Sequence, residues 1–343
     1  MKTAIECAER GWLPDAALRT GIRRMVSRRR RDMSRRGEQE ILRRKQDFAL
    51  SLAQDPIAMH TDAANEQHYE VPAAFFERVL GTRLKYSSCY YPTAQTSLDE
   101  AEEAMLTLTC ERADLHDGMD VLELGCGWGS LTLWMAQAYP GSRVTAVSNS
   151  ASQKQIIDQR AAELGLLNVR VITKNINDFT PAATYDRIVS VEMFEHLRNW
   201  PLMFARLADW MRPEGRAFLH VFCHREQPYL YEDNGDGDWM ARHFFTGGMM
   251  PSDDLPLHIT GPLKVEAQWQ VDGTHYARTA NDWLANLDRQ REQLMPMLAQ
   301  TYGPGEALRW LNRWRLFFMG CAELFGHRQG SEWWVAHHRL VHA

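Results

Sequence analysis

The chain has 343 residues, 45% of them hydrophobic, and a formal net charge of −5. That suffices for one generous α/β core with additions, or for two modest domains, and even the long apolar run at Leu131–Ala138 falls far short of the roughly 20 residues that cross a membrane. With no apolar signal core at the start and six cysteines, at 7, 89, 110, 126, 223 and 321, in no C-x-x-C spacing, the expectation is a soluble, cytoplasmic protein with free thiols and no bound metal.

Residues 1–60 read as a helical extension without strand signal. Within it, Arg23 to Lys45 holds eleven basic residues against Asp32, Glu38 and Glu40, a local charge of +8 that leaves the remainder at −13. Such a run could touch phosphates or an anionic membrane surface. Its apolar positions, Ile22, Met25, Val26, Met33, Ile41 and Leu42, suit instead one exposed helix docked by a thin stripe, so no nucleic-acid partner is expected and any membrane contact would be peripheral. Residues 61–117 form a second helical cap, with a polar, turn-like stretch at Asp62–Pro72. From about Gly118 short apolar runs (Val121–Leu124, Val144–Val147, Val169–Ile172, Ile188–Val191, Ala217–Phe222) alternate with longer helical segments. That alternation predicts a parallel, doubly wound α/β sheet over 118–222. Residues 223–343 begin with an irregular Gly-, Pro- and Asp-rich excursion and resume at Trp269. Helices at 280–301 and 304–326 and a closing strand at Trp333–Val341 follow.

The strongest motif is Val121-Leu-Glu-Leu-Gly125-Cys-Gly127-Trp-Gly129, a buried strand running into a glycine-rich turn and a helix from about Ser130. Glycines at alternate positions let the backbone bend tightly and approach a ligand. A dinucleotide site would show G-x-G-x-x-G facing a pyrophosphate; here the spacing is G-x-G-x-G with Glu123 two residues before it. That resembles the first motif of class I S-adenosylmethionine methyltransferases, and an acidic residue beside the turn suits a cationic ligand better than a diphosphate. After the second strand, where an acid often grips ribose hydroxyls, stand Ser148-Asn149-Ser150 and then Gln153, so amide and hydroxyl groups would have to make those bonds; for Ser150 alone an N-cap explains the residue equally well. Asn175 and Ile176, after the third strand, lie where an adenine edge would sit.

After the fourth strand come Glu192, Glu195 and His196, at the carboxyl end of a strand, where open α/β sheets bind ligands. Three and four residues apart, they would face one way in a helical turn. Such a cluster can hold a cationic amine and accept its proton; alternatively Glu195 caps the following helix and His196 packs beneath it. His220 and His224 lack the H-E-x-x-H order, and the Asp233 to Asp238 run lacks the calcium-loop order and reads as a solvated turn. Trp239, Phe244, Phe245, Trp310, Trp314, Phe317, Phe318 and Trp333 could wall a flat acceptor, although a stripe such as Trp310, Trp314 and Phe317 is more often core.

Over roughly residues 60–340 the sequence resembles the cyclopropane fatty-acid synthase superfamily, and within it the coclaurine-type N-methyltransferases. The resemblance is carried by Asn65-Glu-Gln-His-Tyr69-Glu, Leu84-Lys-Tyr86-Ser-Ser-Cys-Tyr-Tyr91, the glycine turn, Val147-Ser-Asn149-Ser, Glu192-Met-Phe-Glu-His196 and Phe244-Phe-Thr-Gly-Gly-Met-Met-Pro251. It implies a class I methyltransferase fold with an N-terminal helical cap, a cofactor-covering segment within residues 61–117 and a late helical substrate cap. It also implies S-adenosylmethionine lined by Tyr86, Ser87, Gly125, Asn149, Gln153 and Ile176, and a small aromatic amine served by Glu192, Glu195 and His196; a homodimer is left open. The rival branch modifies unsaturated acyl lipids with the help of a bicarbonate ion, and Glu195, His220 and Tyr276 match the positions that hold that ion. Ser88 stands where that branch has a cysteine, with Cys89 one place later. Cys321 matches a cysteine often marked as catalytic there, but direct methyl transfer needs no covalent intermediate, and core packing is the simpler role.

Overall fold

The computed structural model describes residues 2–59, 71–235 and 238–343. The segment Asn65–Glu70 that contributes to the resemblance, and most of the expected turn at Asp62–Pro72, lie outside them. At the centre is a seven-stranded sheet in the order β3-β2-β1-β4-β5-β9-β8, built from β1 (Asp120–Leu124), β2 (Arg143–Ser148), β3 (Val169–Thr173), β4 (Tyr185–Val191), β5 (Met211–His224), β8 (Leu263–Val271) and β9 (Trp333–His342). The first five run parallel, as their short, largely apolar runs alternating with helical segments foretell, because strands covered by helices are mostly buried. β9 enters antiparallel between β5 and β8. A two-residue ribbon, β6 (Tyr229–Leu230) with β7 (Met249–Met250), lies within the expected irregular excursion.

Strand order reverses between β1 and β4, which places the ligand crevice of such a sheet at their carboxyl ends. Helices α6 (Ser130–Ala138) and α7 (Ala151–Glu163) follow β1 and β2, and α8 (Trp200–Trp210) precedes β5. Ahead of the sheet come α1 (Lys2–Glu9), α2 (Asp15–Ser34), α3 (Glu38–Ser51), α4 (Ala73–Val79) and α5 (Leu98–Arg112). Beyond the short α9 (Trp239–His243), the late cap consists of α10 (Gly273–Arg289), α11 (Arg291–Tyr302) and α12 (Ala307–Phe325).

Two expectations need correction. The helix expected at 280–301 is two helices that start earlier: Asp272 caps α10 by accepting the Thr274 N–H at 2.9 Å, and the chain breaks at Gln290 before α11. The basic run is likewise two helices, separated at Arg35–Gly37, where Gly37 takes an extended conformation ahead of α3. Val26 and Met33 do bury a stripe, but Met25 and Leu42 are at least half exposed. No helix among the described residues is long and apolar enough to cross a membrane.

Candidate functional site

Leu124 at the end of β1 pairs with Ser190 near the end of β4, so the chain that leaves each strand meets the other at the reversal point. After β1 the backbone bends through Gly125 and Gly127 at φ +77° and +52°. A Cβ on Gly125 would stand 2.8 Å from the Met193 side chain, whereas one on Gly127 would meet nothing within 4 Å. The first glycine is therefore required by packing as well as by conformation, and the second leaves open space above the bend.

That space is a two-lobed cleft. The first lobe holds about 1270 Å³, its open mouth included, and the second about 800 Å³. Tyr86, Ser87 and Glu123 line the first; Asn149, Asn175 and Ile176 line the second; Gly125, Gly127, Gln153, Glu192 and His196 line both. The cleft thus brings together all nine residues expected around the cofactor. Of the three expected at the amine, it takes two.

Gln153 is held by the Ser148 hydroxyl, which donates to its Oε1 at 2.6 Å. Its Nε2 is buried with no hydrogen-bond partner among the described residues. An unmet buried donor costs about 1–3 kcal/mol, and this one borders the cleft. Ser150 is an N-cap, accepting the Gln153 N–H at 3.3 Å. Glu123 is 3% exposed, accepts from the Thr132 hydroxyl, and burial pushes its pKa up to about 7. Lys174, unremarked in the sequence, lines the second lobe.

Glu192 lines both lobes. Its backbone is left-handed, φ +45°, and its side chain is 8% exposed. Oε1 accepts the Ser88 N–H at 2.8 Å and lies 3.2 Å from His220 Nε2, while Oε2 accepts the Tyr276 hydroxyl at 2.6 Å. Burial raises its pKa, opposed by the Lys85 charge and by the Ser88 and Tyr276 hydrogen bonds. Glu195 goes elsewhere: it is fully buried, and its Oε1 accepts the Phe222 N–H at 2.7 Å. Its Oε2 has no hydrogen-bond partner among the described residues, and burial, reinforced by the Glu192 charge, pushes its pKa well up. The expected common face fails because the helical turn is a short 3-10 turn, Phe194–His196, that starts after Glu192 and leaves it outside. His196 stays at the cleft, its ring 4.5 Å from that of Phe245.

Phe222, Tyr231, Phe245, Tyr276, Trp283 and Phe317 wall the first lobe. Of the late aromatics singled out in the sequence, Phe244, Trp314, Phe318 and Trp333 are fully buried core. Cys321 also lines this lobe, but burial pushes its thiol up to about 12, which leaves no thiolate to act as a nucleophile. Sequence reasoning missed Lys85, which is 3% exposed and donates to Ser87 Oγ at 2.5 Å and to the Ser88 carbonyl at 2.7 Å, stiffening the segment that offers the Ser88 N–H to Glu192. Burial lowers its pKa. Nothing in a Leu-Lys-Tyr string signals that this lysine points inward.

The family of mycolic acid cyclopropane synthetases matches residues 58–332. The (S)-coclaurine N-methyltransferase of Thalictrum flavum subsp. glaucum is 38% identical over 333 residues, covering 96% of this chain and 92% of that protein. A crystal structure of coclaurine N-methyltransferase bound to N-methylheliamine and SAH superposes with a TM-score of 0.95 at 37% identity, over 99% of both chains. The cyclopropane-fatty-acyl-phospholipid synthase of Escherichia coli (strain K12) is 30% identical over 80% of this chain and 68% of its own length.

Proposed function

The chain belongs to the mycolic acid cyclopropane synthetase family, here in its S-adenosylmethionine-dependent methyltransferase form, and on that premise we propose that it methylates the nitrogen of a small, tetrahydroisoquinoline-like aromatic amine. One observation carries the choice of acceptor. His220 and Tyr276, which by the family resemblance would help hold a bicarbonate ion in the lipid branch, are both bonded to the Glu192 carboxylate. The protein has placed its own fixed anion on those partners. Cys89 does not restore the lipid pattern, for it is fully buried with its thiol turned to the Ser87 carbonyl at 3.7 Å.

The cleft fits the cofactor on its own evidence. The open bend at Gly127, the unmet Gln153 amide and the buried Glu123 carboxyl offer space, a donor and a potential counter-charge. Gly125, Gly127, Glu123, Tyr86 and Ser87 would hold the amino-acid end, and Asn149, Gln153, Asn175 and Ile176 the adenosine end. The cofactor supplies an electrophilic methyl group on a positively charged sulfur. Everything else falls to the chain. An ammonium has no lone pair, so the amine must lose a proton before it can react. Glu192 attracts and orients the cationic form between the aromatic walls, whose ring faces favour a cation, and His196 takes the proton. Glu195, behind the surface, holds the Phe222 backbone and with it the Phe222 wall.

Methyl-labelled cofactor tests the reading: label is expected in 1,2,3,4-tetrahydroisoquinolines and absent from vesicles of unsaturated phospholipid. Label in methylene-bridged acyl chains, with none in the amines, overturns it.

A further inference from the structure

Behind Glu192 a line of hydrogen bonds crosses the sheet to its outer side. His220 on β5 and His337 on β9 are register partners. Both are 0% exposed, and His337 Nε2 lies 3.0 Å from His220 Nδ1. His337 Nδ1 lies 2.8 Å from Nη1 of Arg112, the last residue of α5, whose guanidinium rests 5.3 Å over the Trp269 ring. The line therefore reads Arg112, His337, His220, Glu192, drawing on α5, β9, β5 and the end of β4.

Its direction follows from chemistry. A guanidinium only donates, and a neutral imidazole carries one N–H and one lone pair. Arg112 facing His337 Nδ1 makes that nitrogen the acceptor, so Nε2 carries the hydrogen of His337. That hydrogen points at His220 Nδ1, which must accept in turn, and His220 donates from Nε2 to Glu192. Burial pushes both imidazoles well below their usual pKa, which keeps them neutral.

We propose that Arg112 and His337 are positioning residues for Glu192: together they fix the tautomer of His220, so that it can only donate, and thereby hold the Glu192 carboxylate as an acceptor turned toward the cleft. Every N–H along the line already points at Glu192 and Arg112 has no lone pair, so a proton taken from the substrate cannot leave this way. Its exit is on the His196 side. Choosing a guanidinium at the outer end has a physical reason, since any end group able to accept, such as a glutamine or a water, would let both rings change tautomer and present a lone pair to the carboxylate.

The inference rests on the amine-methylation reading for its kinetic arm alone. In the first arm, long-range ¹H–¹⁵N correlation spectra of ¹⁵N-histidine-labelled protein, assigned with His220→Gln and His337→Gln, are expected to show both rings as Nε2–H tautomers, and Arg112→Met is expected to mix the tautomers. An Nδ1–H or doubly protonated His220 in the unaltered protein, or unchanged spectra in Arg112→Met, overturns the proposal whatever the acceptor is. In the second arm, His337→Gln, which can accept at one end and donate at the other, is expected to keep kcat within about threefold. His337→Leu is expected to lose about 10- to 100-fold, with the cofactor KM unchanged, as misplacement of a reacting group does. Equal losses in both variants, or none in either, overturn the positioning role. If no amine is methylated by the unaltered protein, the proposed function fails while the tautomer spectra still decide this inference.

Discussion

Glu123 stands one residue before the end of β1 with its carboxyl buried, and that burial ties its charge to pH. Its pKa rises from 4.5 to about 7 because the anion has lost its water, with only the Thr132 hydroxyl in compensation. In the free protein the raised value means that the stability it contributes is fully present below the unfolded pKa of 4.5 and is lost as pH climbs through about 7. A cationic ligand at the bend reverses the preference and favours the anion. Affinity for S-adenosylmethionine should therefore rise about tenfold per unit up to roughly pH 7 and then level off, and Glu123→Gln should flatten that slope in calorimetric titrations. Glu192→Gln is expected to cut kcat by about 10²-fold, as loss of a group that orients the amine does, while leaving cofactor affinity unaltered; a matching loss of cofactor affinity would assign Glu192 to binding instead. The types of these two residues and their places at strand ends were legible in the sequence. The orientation of Glu195 was not, because spacing gives a common face only where the backbone is helical, and Glu192 is left-handed.

Helix α5 has its start written into the chain as a capping box: Ser97 accepts the Glu100 N–H, and the Glu100 side chain accepts the Ser97 N–H at 2.7 Å. What it delivers is not visible there. Glu102, 0% exposed, accepts the backbone N–H groups of Gly81, Arg83 and Lys85 at 3.0, 2.8 and 3.1 Å, and so anchors the loop that leads to Tyr86, Ser87 and Ser88. Glu102→Ala should lower the stability read from urea midpoints by about 2 kcal/mol or more, since each orphaned buried N–H costs about 1–3 kcal/mol. It should also weaken cofactor binding. Stability loss with unchanged affinity would separate the loop from the site. The misplaced boundaries have two causes: Gln290 carries no break signal, so only tertiary contacts decide where α10 stops, whereas Gly37 between α2 and α3 is a break signal present in the sequence that the basic run obscured.

Across the whole molecule, the amino-terminal helices are built onto the late cap. Arg19 and Arg23 of α2 reach Glu323 of α12 at 2.8 and 2.5 Å, and Glu9 takes hydrogen bonds from Trp239 and Arg313 at 2.8 and 3.0 Å. A chain beginning at Glu38 would strand Glu323 and bare the surface under Leu18, Val26 and Met33. Its thermal midpoint should fall by roughly 5 °C or more, and a midpoint equal to that of the full chain would show the extension to be independent of the cap. By itself the sequence determined the parallel sheet, the glycine bend with its acidic neighbour, the place of Glu192 and His196 one strand away and the family, because strand burial, backbone conformation and motif order are local properties. Only the tertiary structure decided that Glu192 faces the cleft while Glu195 lies behind it, that Lys85 turns inward, and that Arg112 and His337 stand in line with the site. Those contacts join residues as many as 225 positions apart, and no local pattern can encode which distant donor a buried carboxylate will meet.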